Sequence, residues 1–168
     1  MPTPHGSGRP RDRLPERELS VLYDVFVVSG RLSGFLERAL APSGLRPSEY
    51  AVYSILSEVG TTTPSELETM TGSPHSTLTT YLGHMVRRGH LRRERNPRDG
   101  RSVRLTLTDD GYAAQRRAAP MFDAALDRLK AELAMPVDEL RGALLTLDDA
   151  LRALDTADAT ADVLDAGA

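Results

Sequence analysis

Residues 63–111 read TPSELETMTGSPHSTLTTYLGHMVRRGHLRRERNPRDGRSVRLTLTDDG, and the order of signals in this stretch decides the fold. Thr63 supplies an N-cap hydroxyl, Pro64 suits a first helical turn, and Glu66 stands three residues after Thr63, as a capping box requires. A short helix is therefore expected to about Met70. Thr71-Gly72 then turns the chain, and Ser73-Pro74 caps a second helix that runs to about Arg88 and stops at Gly89. Two helices joined by a short turn containing glycine form a helix-turn-helix. Leu91–Arg95 and Ser102–Leu107 follow as two strands, with Val103, Leu105 and Leu107 alternating against Arg104 and Thr106. Asn96-Pro97-Arg98-Asp99-Gly100-Arg101 is the turn between them, and Thr108 with Asp109 and Asp110 caps the next helix.

Working outward, Leu22, Val25, Phe26, Leu32, Phe35, Leu36 and Leu40 recur at helical spacing and predict a first helix from about Glu16 to Leu40. Ser29-Gly30 and Ser33-Gly34 in its middle mark either close backbone approach to another helix or a weak spot. Pro47 starts a second helix with Ala51, Val52, Ile55, Leu56 and Val59 as its apolar stripe and Gly60 as its stop. After the two strands, Ala118, Phe122, Ala125, Leu129 and Leu133 place one buried face on a long helix, which Pro120 is expected to kink. A last helix from about Val137 to Leu154 carries Leu140, Leu144, Leu147, Leu151 and Leu154. The fold class is thus mainly α with a small β-wing. Residues 1–15, rich in Pro, Gly, Ser and Arg, are expected to be a flexible arm, and 156–168 a flexible tail.

Composition bounds the function. Of 168 residues, 40% are hydrophobic and 27% charged, and no apolar run reaches the roughly 18 residues that span a bilayer. No membrane association is expected. The amino terminus lacks the apolar stretch of a secretory signal, so the expected location is cytoplasmic. There is no cysteine, which removes disulfides, thiolate ligands and thiol redox chemistry. The net charge of −3 gives no hint of a nucleic-acid partner, but its distribution does. Residues 87–104 carry 8 basic and 2 acidic groups, whereas residues 1–86 carry 7 and 9 and residues 105–168 carry 6 and 13. Screening over about 8 Å means that a phosphate responds to the nearest patch and not to the total.

On a helix over residues 74–88, Leu78, Leu82 and Met85 share one side. Opposite lie Ser76, Thr80, Gly83 and Arg87, flanked by Thr77, Thr79 and His84. Small hydroxyls beside a glycine suit the major groove, where they can reach base edges, phosphates or thymine methyls. A solvated polar face is the bland alternative for such a helix standing alone. The helix start, with Ser73 and His75, also offers backbone N–H groups to a phosphate. The hairpin adds Arg92, Arg93, Arg95, Arg98, Arg101 and Arg104 as phosphate contacts, and an arginine at its tip can enter a narrow minor groove. Asp99 among these cations is better placed to pin an arginine than to touch DNA.

The helix-turn-helix from Thr63 to Arg88 and the run from Asp99 to Gly111 resemble the MarR (multiple antibiotic resistance regulator) family. The shared pattern is Asp, any residue, Arg, then a strand ending Leu-Thr and a glycine in the first turn of the next helix. The resemblance covers about residues 16–155. It implies a winged helix-turn-helix with N- and C-terminal dimerisation helices, in which residues 16–44 and 109–155 interdigitate in a triangular homodimer and residues 45–108 form the DNA-binding domain. It further implies that Asp99 orders the wing, that Arg101 enters the minor groove, and that the helix after Ser73 reads each half-site of a palindromic operator, roughly 34 Å from its mate. The family commonly acts as a repressor relieved by a small aromatic or anionic effector, for which Tyr23, Phe26, Tyr50, Tyr53 and Phe122 are the candidates. Aromatics at helical spacing also read as core. Thr80 and His84 stand where relatives often carry arginine, and Arg46 where a capping threonine is frequent.

Other classes fit less of the sequence. His5, His75, His84 and His90 form no ligand cluster with carboxylates at metal spacing, so no metal or cofactor is expected. Ser76 with a histidine and an aspartate could form a triad, but no nucleophile elbow, phosphate-cradling loop or paired-carboxylate motif is present, so no enzyme is expected. A winged-helix regulator of another family, acting constitutively or as an activator, and a protein-interaction module without DNA remain as alternatives.

Overall fold

The computed structural model describes residues 21–96 and 102–165, with side chains described as far as residue 156. Its elements are α1 (Val21–Leu40), a 3-10 turn (Ala41–Ser43), α2 (Pro47–Val59), β1 (Thr61–Thr62), α3 (Pro64–Thr71), α4 (His75–Arg87), β2 (Leu91–Arg95), β3 (Val103–Leu107), α5 (Asp109–Glu132) and α6 (Val137–Asp165). The chain divides into two compact units after Phe122.

In the first unit, the sheet has the order β1-β3-β2, antiparallel throughout. Leu91 faces Leu107 and Arg93 faces Leu105, while Thr61 pairs with Thr106. Side chains alternate across a strand, so Leu91, Leu105 and Leu107 all turn to the core. They meet Leu40, Leu45, Val52, Leu56, Leu67, Leu78, Leu82 and Met85 in one apolar cluster. A side chain such as Leu82, 1% exposed, contributes about 1.5–3 kcal/mol by leaving water.

Local chemistry explains most boundaries. Thr63 Oγ1 accepts from the Glu66 amide (3.3 Å), and Glu66 Oε2 accepts from the Thr63 amide (2.8 Å), closing the expected capping box of α3. Gly72 ends that helix at φ 61°, a left-handed conformation that glycine adopts without steric cost. Thr108 caps α5 by accepting from the Gly111 amide at 3.1 Å. Two details depart from expectation. Pro74, not Ser73, is the cap residue of α4, and its carbonyl receives the Leu78 amide at 3.0 Å. Strand β1 was not anticipated, because two residues show no alternation and the strand exists only through its pairing with β3. Pro120 stands inside α5, which continues on both sides of it.

The second unit holds the end of α5 and the whole of α6. α6 continues to Asp165, so the expected flexible tail is helical over most of its length. Residues 155–165 contain neither glycine nor proline to stop the helix. Leu144, Leu145, Leu151 and Leu154 on this helix are exposed, as are Val21, Leu22, Tyr23, Val25, Phe26, Val28 and Leu32 on α1.

Candidate nucleic-acid interface

α4 presents the face that its sequence announced. Leu78, Leu82 and Met85 are buried, which turns Ser76, Thr79, Thr80 and Arg87 outward, with Thr77, Gly83 and His84 half-exposed. The Thr80 hydroxyl donates to the Ser76 carbonyl at 3.0 Å, leaving its oxygen lone pairs outward as acceptors. The Arg87 guanidinium lies across Gly83, where a Cβ would come 3.5 Å from its Nη1. Ser73 sits half-buried ahead of the helix, its amide on Thr71 Oγ1 at 3.2 Å. His75 is exposed and bonded through Nδ1 to the Glu68 carboxylate, so α3 already holds one of its ring nitrogens.

His84 has an internal partner that the sequence did not indicate. Its Nδ1 lies 3.1 Å from Glu49 Oε1, on a carboxylate only 2% exposed in α2. Glu49 Oε2 also receives the Arg46 amide (3.3 Å) and Arg88 Nη1 (3.4 Å). Burial pushes the Glu49 carboxyl up, but the His84 bond, the Arg46 amide and the Arg88 charge outweigh it and hold it below 4.5. One buried carboxylate thus ties α2 to two residues a helical turn apart at the end of α4. In sequence Glu49 reads as an ordinary acidic residue in a first turn, and nothing local marks it as buried.

The root of the wing is fixed by backbone contacts. The Thr108 amide donates to the His90 carbonyl (3.0 Å) and the Thr108 hydroxyl to the Gly89 carbonyl (2.7 Å). Gly111 packs against the same turn so closely that a Cβ would lie 2.2 Å from the His90 carbonyl oxygen. The Tyr53 hydroxyl and His90 Nδ1 share a hydrogen bond (2.8 Å), and the His90 ring lies edge-on to the Tyr53 ring. Burial first, then the Arg88 charge, lowers the His90 pKa below the usual histidine value, which disfavours the charged ring.

Further out, Arg92, Arg93, Arg95 and Arg104 are exposed. The register puts Arg93 and Arg95 opposite Leu105 and Val103, and Arg92 opposite Thr106, so the cations occupy both faces of the hairpin. Arg92 Nε pairs with Glu94 at 2.9 Å. Asn96 closes the hairpin through its amide to the Ser102 carbonyl (3.0 Å) and its side chain to Ser102 Oγ (2.7 Å). The expected tip residues Arg98, Asp99 and Arg101 lie outside the described residues.

The aromatic candidates separate. Tyr50 and Tyr53 are core residues, and the Phe122 ring packs against Tyr50 at a tilt of 35° with centroids 5.1 Å apart. Tyr23 and Phe26 are exposed on α1. A cavity of about 550 Å³ is lined by Glu37, Ala41, Gly44, Leu45, Arg46 and Pro47, none of them among the five. Among the described residues no cluster of histidines and carboxylates could hold a metal ion, and no helix is long and apolar enough to cross a membrane.

Comparison with known proteins agrees with this geometry. The sequence model of the MarR family matches residues 43–102, from the end of the 3-10 turn to the start of the second wing strand. No curated protein sequence matches the chain. Among solved structures, the Mycobacterium tuberculosis transcriptional regulator MosR in complex with DNA is 28% identical, with a TM-score of 0.73 over 80% of this chain and 98% of that one. The transcriptional repressor CouR, bound to a 23-mer DNA duplex, is 27% identical, with a TM-score of 0.67 over 79% of this chain and 92% of that one. Bordetella bronchiseptica BpsR, whose DNA binding is regulated by 6-hydroxynicotinic acid, shares the fold at 19% identity and a TM-score of 0.69, over 79% of this chain and 94% of that one. With the family pattern lying on the helix-turn-helix and wing, and the likeness extending over the helices on either side, the chain is similar to the winged-helix transcriptional regulators of the MarR family.

Proposed function

We propose that the chain is a sequence-specific duplex-DNA-binding repressor that acts in the cytoplasm as a homodimer and is released by a small aromatic or anionic effector. The observation that carries the reading is the outward face of α4, a row of hydroxyls with Arg87, set on the same compact unit as the arginine-bearing hairpin. MosR and CouR, each above 25% identity, were both solved bound to DNA, which supports the same partner for this chain. The helix α4 enters the major groove, where Ser76, Thr77, Thr79 and Thr80 meet base edges or phosphates. Ser73 and His75 lie at the phosphate end of that helix, Arg87 and Arg95 add phosphate contacts, and Arg98 and Arg101 extend the contact to the minor groove with Asp99 ordering the tip.

The dimer reading rests on α1 and α6, whose leucines, valines and aromatics stand exposed along each helix, as apolar patches at interaction sites do. A palindromic operator follows from two-fold symmetry. Tyr23 and Phe26, the ligand candidates that stand open, suit an aromatic effector.

The test is selection of bound fragments from genomic DNA by the full chain, followed by titration of the recovered site at several salt concentrations. An inverted repeat with half-sites about one helical turn apart is expected. Arg101→Ala should weaken binding and flatten the salt slope by about 0.9 for each phosphate that is no longer neutralised. Recovery of no enriched sequence, or an unchanged slope in the variant, would overturn the reading of α4 or of the wing respectively.

A further inference from the structure

We propose that Glu49, buried in α2, is a positioning residue for sequence readout: it fixes the proton of His84 on Nδ1 and thereby decides which hydrogen bond the opposite ring nitrogen offers to DNA. The inference rests on the reading of α4 as the recognition helix.

Three observations carry it. Glu49 Oε1 lies 3.1 Å from His84 Nδ1. The other oxygen is occupied by the Arg46 amide and Arg88 Nη1, both donors, which is the environment of an ionised carboxylate. An ionised carboxylate only accepts, so the ring nitrogen facing it must carry hydrogen. His84 itself stands beside Thr80 on the outward side of α4 and is half-exposed, so the ring reaches from a buried anchor to the surface that faces DNA.

A surface histidine without such an anchor exchanges tautomers, and its outer nitrogen then donates in one and accepts in the other, blurring any base preference. With Nδ1–H held by Glu49, the ring in its neutral form offers Nε2 as an acceptor, suited to the amino group of cytosine or adenine in the major groove. Carboxylates behind metal-binding histidines fix the ring in the same way, although here the outer nitrogen meets a base edge. Glu49 touches no DNA and acts through His84 alone.

The ring state can be read without DNA. Imidazole 15N shifts of the full-length protein should show His84 protonated at Nδ1, and Glu49→Gln should shift it toward mixed tautomers. Observation of the opposite tautomer, with hydrogen on Nε2 alone, would overturn the proposal whatever the protein binds. The second arm is selection from randomised operator duplexes. Glu49→Gln and His84→Ala should lose preference at the same base pair of each half-site, by about 5–10-fold, with the double variant no worse than either single one. Preference elsewhere and the salt slope should be retained. A uniform loss across all sequences would mean that Glu49 only supports the fold, and would sink the positioning role. If Glu49→Gln fails to fold, Glu49→Asp, which keeps the charge but shortens the reach, takes its place with the same expected change at that base pair. Failure of the wild-type protein to select any sequence would refute the DNA reading instead, leaving the ring state measured by NMR as a separate result.

Discussion

Gly111→Ala is expected to destabilise the protein, although alanine is the better helix former. The added Cβ would lie 2.2 Å from the His90 carbonyl oxygen and 3.1 Å from Leu107 Cδ2, against the 3.4 Å at which ordinary contact begins. Relief requires about 1 Å of movement between two backbones, and overpacking of this kind costs about 1–3 kcal/mol. Moving the His90 carbonyl also weakens the bond it receives from the Thr108 amide, worth about 1 kcal/mol. Helix propensity returns about 1 kcal/mol. The net expectation is a loss of about 1–3 kcal/mol, read as a lowered urea midpoint at fixed protein concentration. Gly142 in α6 is the internal control, because a Cβ there meets nothing within 4 Å. Gly142→Ala should therefore gain about 0.5–1 kcal/mol. If Gly111→Ala proved as stable as Gly142→Ala, the close approach of α5 to the turn after α4 would be refuted.

Two further outcomes follow from the same structure. Phe26→Glu on α1 and, separately, Leu151→Glu on α6 should shift the sedimenting species toward monomer and weaken operator binding at low protein concentration, since each places a charge on an exposed apolar face; an unchanged dimer in both would remove the proposed role of those faces. Stability should fall as pH drops below 6.5, because the unfolded chain takes up a proton at His90 that the folded chain, with its lowered pKa, refuses; His90→Gln should remove that part of the slope in a denaturation series from about pH 7.5 to 5.5.

Sequence made the helix-turn-helix legible because its determinants are local. The Thr63 and Glu66 capping box, Gly72 at the turn and the Leu78, Leu82 and Met85 stripe each signal within a few residues, and each stands where it was expected. The outward face of α4 follows from that stripe by periodicity alone. What escaped depends on residues distant in the chain. Glu49 and His84 are 35 positions apart, and only packing of α2 against α4 makes a first-turn glutamate into a buried anchor. Strand β1 exists because Thr61 and Thr62 find Thr106 and Leu105, and neither threonine predicts that partner. The end of α6 was missed for a different reason. The stripe of large apolar residues stops at Leu154, but residues 155–165 hold no glycine or proline to end the helix there.

The junction of Gly89, His90, Thr108 and Gly111 has a mechanical consequence. It welds the end of α4, the root of the hairpin and the start of α5 at one point, with hydrogen bonds of 2.7 and 3.0 Å and no room for even a methyl group. Torque arriving through the first turns of α5 cannot swing the hairpin against α4. It must carry both together, as a crank carries its handle. Under the proposed dimeric, effector-released reading, a signal would therefore adjust how far apart two intact reading heads stand, and not the shape of either head.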